Sequence, residues 1–177
     1  MMKKTNGITM KASLTLIISL LLCCYATSQT TWKSPKYGYS IEVPKGFIRT
    51  NAKGLDIDFR ANKGINSIVI VVKTLPSQFV NATIWDMLGD LRTFGSRIEE
   101  GAKEFMQNPR FIKSGKTTLC GVDAFWYDYE HENILYSKVY QAKKNNKLYT
   151  ITLSSSISNY NQYAPIWYRF KDKINIR

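Results

Sequence analysis

The sequence holds few of the residues on which metal and redox chemistry depend. Its 177 residues include three cysteines and one histidine, His131. A single imidazole with no second imidazole or thiolate beside it makes a poor transition-metal site. The chain also lacks a Gly-rich phosphate loop, a dinucleotide-binding fingerprint and a spaced cysteine pair. We therefore expect the protein to use no metal and no cofactor.

The apolar run near the N-terminus is too short to span a membrane. It covers residues 12–22 and follows three lysines, whereas a spanning helix needs about 20 apolar residues. Small residues stand at the two positions that a signal peptidase reads, and the second of them is Ser28. The pattern predicts a signal peptide over residues 1–28, cleaved before Gln29. The protein would then be exported to the periplasm or out of the cell.

A cysteine just after this run leaves a second route of processing open. Cys24 stands where a bacterial lipoprotein carries its lipidated residue, and acylation there would tether the domain to an envelope membrane. Only in that case do we expect membrane contact. The residue before a lipidated cysteine is usually small, and here it is a second cysteine. The sequence thus favours cleavage before Gln29 and keeps the lipoprotein as the alternative.

Positive charge prevails in the remainder of the chain. The leader holds three of the 25 Lys and Arg residues and none of the 13 Asp and Glu residues, so residues 29–177 carry a net charge of +9. The basic residues are spread out, which argues against nucleic-acid binding and favours an unknown protein or an anionic envelope component as partner. The length suits a single domain. Cys120 has no disulfide partner there, and we expect it to be a small buried residue.

The patterns along the chain predict an α+β domain. Alternating apolar and polar residues predict strands over 39–43 and 55–60. A run rich in Ile and Val predicts a strand over 65–73, covered on both faces and paired with the strand before it. Capping boxes at Thr83 and Ser96 then predict two short helices, or one helix kinked at Gly95, ending before Pro109.

Four further strands and a helix follow. Alternation returns after Arg110 and predicts the strands 111–119, 124–131, 134–142 and 147–153, with turns at Gly121, Glu132-Asn133 and Asn145-Asn146. Such short turns indicate an antiparallel meander. Apolar residues from Tyr160 to Ile174 recur at helical spacing, which predicts a C-terminal helix packed on the sheet. The prediction is therefore one mostly antiparallel sheet with a helix pair inserted after the first strands.

Three phrases of the sequence occur in an order typical of a known superfamily. Residues 37–47 contain an aromatic residue, a strand and a Pro-x-Gly-aromatic turn, residues 121–124 read Gly-x-x-Ala, and residues 149–151 read Tyr-x-Ile. Together they resemble the PsbP-like superfamily, which includes the DcrB-like bacterial proteins. The resemblance implies an α/β/α sandwich and an accessory or binding role without catalysis. The ending Lys173-Ile174-Asn175-Ile176 departs from the Ser-Phe ending common in the family, which leaves the partner open.

His131 is the candidate for catalysis, with Asp128, Glu130 or Glu132 as its partner. Strand alternation puts Tyr129 and His131 on one face and the two glutamates on the other. We expect His131 to be a polar strand-end residue near solvent, and a small hydrolase centred on it is the less favoured alternative. Asp56 and Asp58 share a strand face, as paired carboxylates would, although a solvated edge is expected there.

The aromatic residues carry the main binding hypothesis. Tyr136, Lys138 and Tyr140 alternate along one predicted strand. If they face outward, they form a Tyr/Lys surface of the kind that binds partners or sugars, and if they face inward, they fill the core. The sequence leaves both alternatives open. The functional prediction is an exported, non-catalytic accessory or binding protein of the bacterial cell envelope.

Overall fold

The computed structural model describes residues 30–177 apart from residues 53 and 55. The predicted signal peptide, with Cys24, Ser28 and Gln29, lies outside the described residues. The strands are β1 (Thr30–Lys33), β2 (Tyr39–Val43), β3 (Ile48–Arg49), β4 (Ile57–Lys63), β5 (Asn66–Thr74), β6 (Arg110–Leu119), β7 (Val122–His131), β8 (Leu135–Lys144), β9 (Lys147–Ser156) and β10 (Ile174–Ile176). The helices are α1 (Ile84–Leu88), α2 (Phe94–Ala102) and α3 (Tyr160–Arg169).

Seven strands form one antiparallel sheet in the order β3-β4-β5-β9-β8-β7-β6. Its last four strands are the predicted meander, and each lies within three residues of its predicted bounds. The turns between them contain residues with positive φ, namely Cys120, Gly121, Glu132, Asn133 and Asn145. Turns whose residues have positive φ match the right-handed twist of the strands that they join. The predicted turn positions are therefore confirmed.

Helices α1 and α2 cover one face of this sheet. The predicted capping box begins α1, since the Thr83 side chain accepts a hydrogen bond from the Asp86 N–H and the Asp86 carboxylate accepts one from the Thr83 N–H. The apolar cluster between the helices and the sheet comprises Ile84, Leu88, Phe94, Phe125, Tyr127, Tyr129 and Val139. Among the described residues, no helix has the length and apolarity needed to cross a membrane.

Helix α3 and a small second sheet cover the opposite face. The small sheet has the order β1-β2-β10 and is antiparallel. Tyr163 and Trp167 of α3 pack into a core with Phe170 and with the buried side chains of β2 and β5. The layers form the predicted α/β/α sandwich, with the difference that there are two sheets where the sequence predicts one.

The C-terminal strand corrects the prediction of a helix that reaches Ile174. Helix α3 ends at Arg169, a 3₁₀ turn follows over Phe170–Asp172, and β10 then pairs with β2. Ile174 and Ile176 are buried and Asn175 is exposed, an alternation that a strand satisfies. Because three residues are too few to establish a period of two, the helical spacing before them dominates the pattern.

The break between α1 and α2 lies earlier than the sequence predicts. Helix α1 ends at Leu88, its C-cap Gly89 has φ of 64°, and Leu91 beyond it is exposed. Gly95 lies inside α2 and does not end a helix. A Cβ at this position would stand 2.7 Å from the Phe111 ring, so the glycine serves the close packing of α2 on β6.

Two further expectations about burial are wrong. Strand β5 is not covered on both faces, because Ile68, Ile70 and Val72 are buried while Val69 and Val71 are only half-buried. Cys120 is exposed rather than buried. It occupies a left-handed position, with φ of 50°, in the turn between β6 and β7, and the tip of a hairpin is surrounded by solvent.

Candidate functional site

The predicted Tyr/Lys face lies on β8 and is turned inward. Tyr136, Lys138 and Tyr140 are 6%, 2% and 2% exposed, on the face of the large sheet that α3 covers. They therefore do not form an outward binding surface, because the pleat of β8 directs all three under α3. Of the two alternatives, the inward one is observed. A buried lysine nevertheless requires partners, since an isolated buried charge is very unfavourable.

Lys138 forms a buried ion pair with Asp128 on the neighbouring strand. The two residues lie directly opposite each other in the β7–β8 pairing, and the Lys138 Nζ is 2.7 Å from the Asp128 Oδ1. The Tyr136 hydroxyl donates to the other carboxylate oxygen, also at 2.7 Å. Both oxygens of Asp128 are thus hydrogen-bonded, as a tolerated buried charge requires. Burial lowers the pKa of Lys138, and the Asp128 carboxylate opposes that shift.

Three aromatic rings surround the Lys138 ammonium. Its Nζ is 3.8 Å from the ring centroid of Trp126, 4.5 Å from that of Tyr168 and 5.6 Å from that of Tyr140. Cation–π contacts contribute about 0.5–2 kcal/mol each, and more when water is excluded. They help to replace the lost hydration of the ammonium. Because Tyr168 belongs to α3 and the other rings to the sheet, these contacts also connect the two layers.

Trp126 packs closely against β6 at Gly115. The two residues are paired across β6 and β7, and a Cβ on Gly115 would stand 2.8 Å from the indole Nε1. Side-chain carbons do not approach other atoms so closely, so only glycine leaves room for the indole in this position. A glycine inside a strand is otherwise unfavourable, and close approach of another group is a common reason for one.

A groove of about 240 Å³ opens beside the ion pair. We call it the lysine groove, and it is lined by Lys116, Thr117, Trp126, Lys138, Tyr140, Tyr168 and Lys171. The ammonium of Lys116 points to the other face of the sheet, where it lies 4.9 Å from the Trp85 ring centroid. Lys113 is instead on the groove side, and its Nζ donates to the Tyr168 hydroxyl at 3.3 Å.

Positive charge exceeds negative charge around the lysine groove. Lys113, Lys138 and Lys171 lie around it, whereas Asp128 is the buried carboxylate and Asp172 an exposed one. The pKa of Tyr168 is lowered, first by its hydrogen bond with Tyr160 and then by the nearby Lys113 and Lys138. The largest cause is thus a neutral hydroxyl, and the lysines add to it. The excess of lysines over carboxylates, together with the hydroxyl and ammonium donors, favours the binding of an anion.

His131 lies on the opposite face of the sheet. Its ring stacks on Tyr129 with the centroids 5.2 Å apart, as strand alternation predicts. The expectation that it lies near solvent is wrong, because its exposed fraction is 8%. The connection before β6 folds over the end of β7, where the Glu132 N–H donates to the Gln107 carbonyl at 2.7 Å. His131 thus lines a second groove, of about 370 Å³, with residues of that connection.

The hydrogen bonds of His131 do not produce an accessible nucleophile. Its Nε2 is 3.1 Å from the Ser137 Oγ, which is 2.7 Å from the Ser154 Oγ. Ser137 is fully buried, so a substrate has no path to this hydroxyl. Burial lowers the pKa of His131, and the Glu132 carboxylate, 3.9 Å from Nδ1, opposes the shift. No group of three His, Cys, Asp or Glu within the described part of the chain could hold a metal ion.

The remaining polar candidates are structural. Asp56 precedes β4 with φ of 65°, and a register shift between Ile57 and Phe59 breaks the alternation on which a shared face with Asp58 depends. In the serine triplet 154–156, Ser156 accepts a hydrogen bond from the Asn159 N–H at the start of the 3₁₀ turn before α3.

The same architecture occurs in solved structures. The solution structure of cyanobacterial PsbP (CyanoP) from Synechocystis sp. PCC 6803 matches with a TM-score of 0.67 and 16% identity, covering 86% of this chain and 96% of that one. The crystal structure of LpqN, involved in cell envelope biogenesis of Mycobacterium tuberculosis, matches with a TM-score of 0.51 and 6% identity, covering 89% and 95%. No family model and no curated protein matches the sequence. The chain therefore has the PsbP-like fold, as the resemblance in sequence implies.

The sequence pointed to one strand of the groove and missed the others. Tyr136, Lys138 and Tyr140 were recognisable because they alternate along β8. Asp128 and Trp126 lie on β7 at the same face, opposite Lys138 and Tyr140. The two-residue turn that the sequence predicts after β7 would put this register one residue out. No local pattern connects Tyr168 to this group, because α3 reaches it through tertiary packing.

Proposed function

We propose that this protein is an exported, non-catalytic accessory protein of the bacterial cell envelope that holds an anionic component in the lysine groove. The partner is either a protein that presents an acidic group or an anionic molecule of the envelope. Export by the predicted signal peptide belongs to the same proposal.

The lysine groove is the observation that carries the proposal. Lys113 and Lys171 form no ion pair with any other residue of the described ranges. Their ammonium groups are therefore available to a ligand, while the charge of Lys138 is fixed behind them by Asp128. Tyr168 is 41% exposed at the rim. Cations without an acidic partner attract an anionic ligand, and tyrosine is enriched where proteins bind their partners.

The structural neighbours support a place in the envelope. One of them, LpqN, is described as involved in cell envelope biogenesis, and it shares this fold. The net charge of +9 over residues 29–177 also favours an anionic setting. These observations agree with the export that the first 28 residues predict.

The lipoprotein alternative is decided at the N-terminus of the processed chain. The intact mass of protein purified after natural processing will correspond either to a chain beginning at Gln29 or to one beginning at an acylated Cys24. We expect Gln29, partly cyclised. A chain that retains the first 28 residues would contradict export by this signal.

Site-specific photo-crosslinking tests the binding role. A benzoylphenylalanine replaces Tyr168 at the rim of the lysine groove in cells that produce the full-length chain, and Lys73, exposed on β5, is the matched control position. We expect a discrete crosslinked envelope product from position 168 that is absent from position 73. The same products at both positions, or none at position 168, would overturn the proposal.

A further inference from the structure

We propose that the lysine groove is a phosphate-binding site. The inference rests on the proposed function and names the chemistry of its ligand: a phosphate group, carried by a lipid headgroup or by a small soluble ester.

All the cations around the groove are lysines. Among the described residues, no arginine lines it. An arginine presents a planar fork that matches both carboxylate and phosphate, whereas a lysine ammonium is a point charge with three rotatable donors. Lysine commonly binds phosphate as such a point charge, so the lysines around the groove suit a phosphate ligand.

The lysines around the groove come from separate elements of the fold. Lys113 belongs to β6 and Lys171 to the 3₁₀ turn after α3, while Lys138 of β8 is buried behind them and paired with Asp128. A phosphate has oxygens pointing in several directions and can accept from donors on different sides at once. A carboxylate has two oxygens in one plane and can satisfy fewer of them. The approach of Lys113 and Lys171 from two chain segments therefore also favours phosphate.

The buried carboxylate beside the groove does not exclude an anion. Both oxygens of Asp128 are engaged, one by the Lys138 ammonium and one by the Tyr136 hydroxyl. The exposed Asp172 is the other carboxylate whose charge acts on this region, through Tyr140. Three ammonium groups thus exceed these two carboxylates, and the surplus is available to a ligand.

The charge of Lys138 is held in place before any ligand arrives. An ion pair of 2.7 Å and three aromatic rings fix its ammonium, so binding needs no reorganisation of this group. The groove, about 240 Å³, is smaller than typical pockets for drug-sized ligands. It suits a phosphate with a short substituent, such as a glycerol unit.

An NMR titration of the naturally processed chain tests the inference. The probe is sn-glycerol 3-phosphate at fixed ionic strength, and the signal is the indole N–H of Trp126, identified by its loss in Trp126→Phe. We expect a saturable shift. The double variant Lys113→Gln/Lys171→Gln should bind at least about tenfold more weakly, since two charge-assisted contacts are lost. It keeps Lys138 and hence the buried ion pair.

The matched control removes the same charge elsewhere. Lys33 and Lys73 are exposed and distant in the chain from the groove residues, and Lys33→Gln/Lys73→Gln should change the affinity by less than about twofold, because only net charge is altered. Equal weakening in both double variants would overturn the inference. So would equal affinity for sodium acetate, or a titration that does not saturate with either source of phosphate.

Vesicles distinguish the two sources of the phosphate. If phosphatidylglycerol vesicles bind the chain and the binding is lost in Lys113→Gln/Lys171→Gln, the phosphate is that of a lipid headgroup. If only the soluble ester binds, the phosphate is that of a small ester. Binding to neither overturns the inference. If crosslinking from position 168 persists in that case, the accessory role stands and only the phosphate chemistry falls.

Discussion

The two faces of the large sheet are made from the same strands but are buried in different ways. On the α1–α2 face, β7 presents Phe125, Tyr127 and Tyr129, and the Phe94 ring meets the Phe125 ring edge-on with the centroids 4.7 Å apart. On the α3 face the same strand presents Trp126 and Asp128. One face is therefore an aromatic cluster, and the other contains a buried ion pair beside a groove.

The difference teaches that a face whose apolar core stabilises the domain can also hold a site. An aromatic cluster gains stability with the area it removes from water. A buried ion pair gains little over an apolar pair of the same volume, yet breaking it is costly. Asp128 and Lys138 are thus poorly explained as a means of stabilising the domain. They are well explained as a means of fixing an ammonium beside the lysine groove.

The largest loss of stability is expected when one partner of the ion pair is removed. Lys138→Met leaves Asp128 buried without its cation and should lower the free energy of unfolding by about 3–5 kcal/mol. The double variant Lys138→Met/Asp128→Leu removes both charges and should recover most of that loss. Urea unfolding followed by circular dichroism measures both.

The control for this comparison is a lysine of the opposite face. Lys116 is exposed, with its ammonium over the Trp85 ring, and Lys116→Met should cost less than about 1 kcal/mol. If the double variant proved as unstable as Lys138→Met, the pair would be essential to the fold, and its assignment to the groove would lose its basis.

A smaller, pH-dependent effect is expected on the other face. The pKa of His131 in the folded chain lies below its ordinary value because of burial. As the pH falls through about 6.5, the unfolded chain takes up a proton at this residue before the folded chain does. The free energy of unfolding should therefore fall between pH 7 and pH 5, and His131→Gln should reduce this slope of stability against pH. Urea unfolding at a series of pH values measures the slope.

Several groups near His131 also affect how the stability depends on pH. Glu132 lies 3.9 Å from Nδ1, the Tyr129 ring is stacked on the imidazole, and Glu99, Arg110 and Glu130 line the same groove. The matched variant Glu132→Gln removes the nearest carboxylate and should steepen the slope. A slope that is the same in the wild type and in His131→Gln would show that His131 does not titrate as inferred.

The smallest effect is expected from a substitution outside both faces. Cys120 precedes Gly121 in a hairpin turn, and both residues have positive φ. Asn-Gly is the preferred pair for such a turn, so Cys120→Asn should raise stability by up to about 1 kcal/mol through relief of the left-handed conformation. Phosphate binding and the pH slope should not change. Thermal unfolding measures the gain in stability, and a loss of stability would contradict the turn assignment.

The architecture was largely predictable because it depends on local patterns. Alternation and turn residues gave the four meander strands, and Thr83 marked the start of α1. Gly95 was misread as a helix end and not recognised as a contact, because the Phe111 ring that requires it comes from a different element. Gly115 and Trp126 are related in the same way. Close approach of two segments leaves no signal in either segment alone.

The ion pair was not predictable because it depends on a register. A two-residue turn at Glu132-Asn133 would place Asp128 opposite Ser137. The turn has three residues, 132–134, so β8 begins at Leu135 and Asp128 faces Lys138. A shift of one residue exchanges the faces of a strand. The charged residues were thus visible in the sequence, whereas their pairing was not.

The strand at the C-terminus also sets the order in which the molecule can assemble. β2 lies between β1 and β10, and Ile41 pairs with Ile174. Contacts between residues roughly 130 positions apart form late, because a long loop must close first. The small sheet is incomplete until the final residues have been synthesised. If residues 1–28 direct export while the chain is being synthesised, β2 and β10 would pair only after the chain has crossed the membrane.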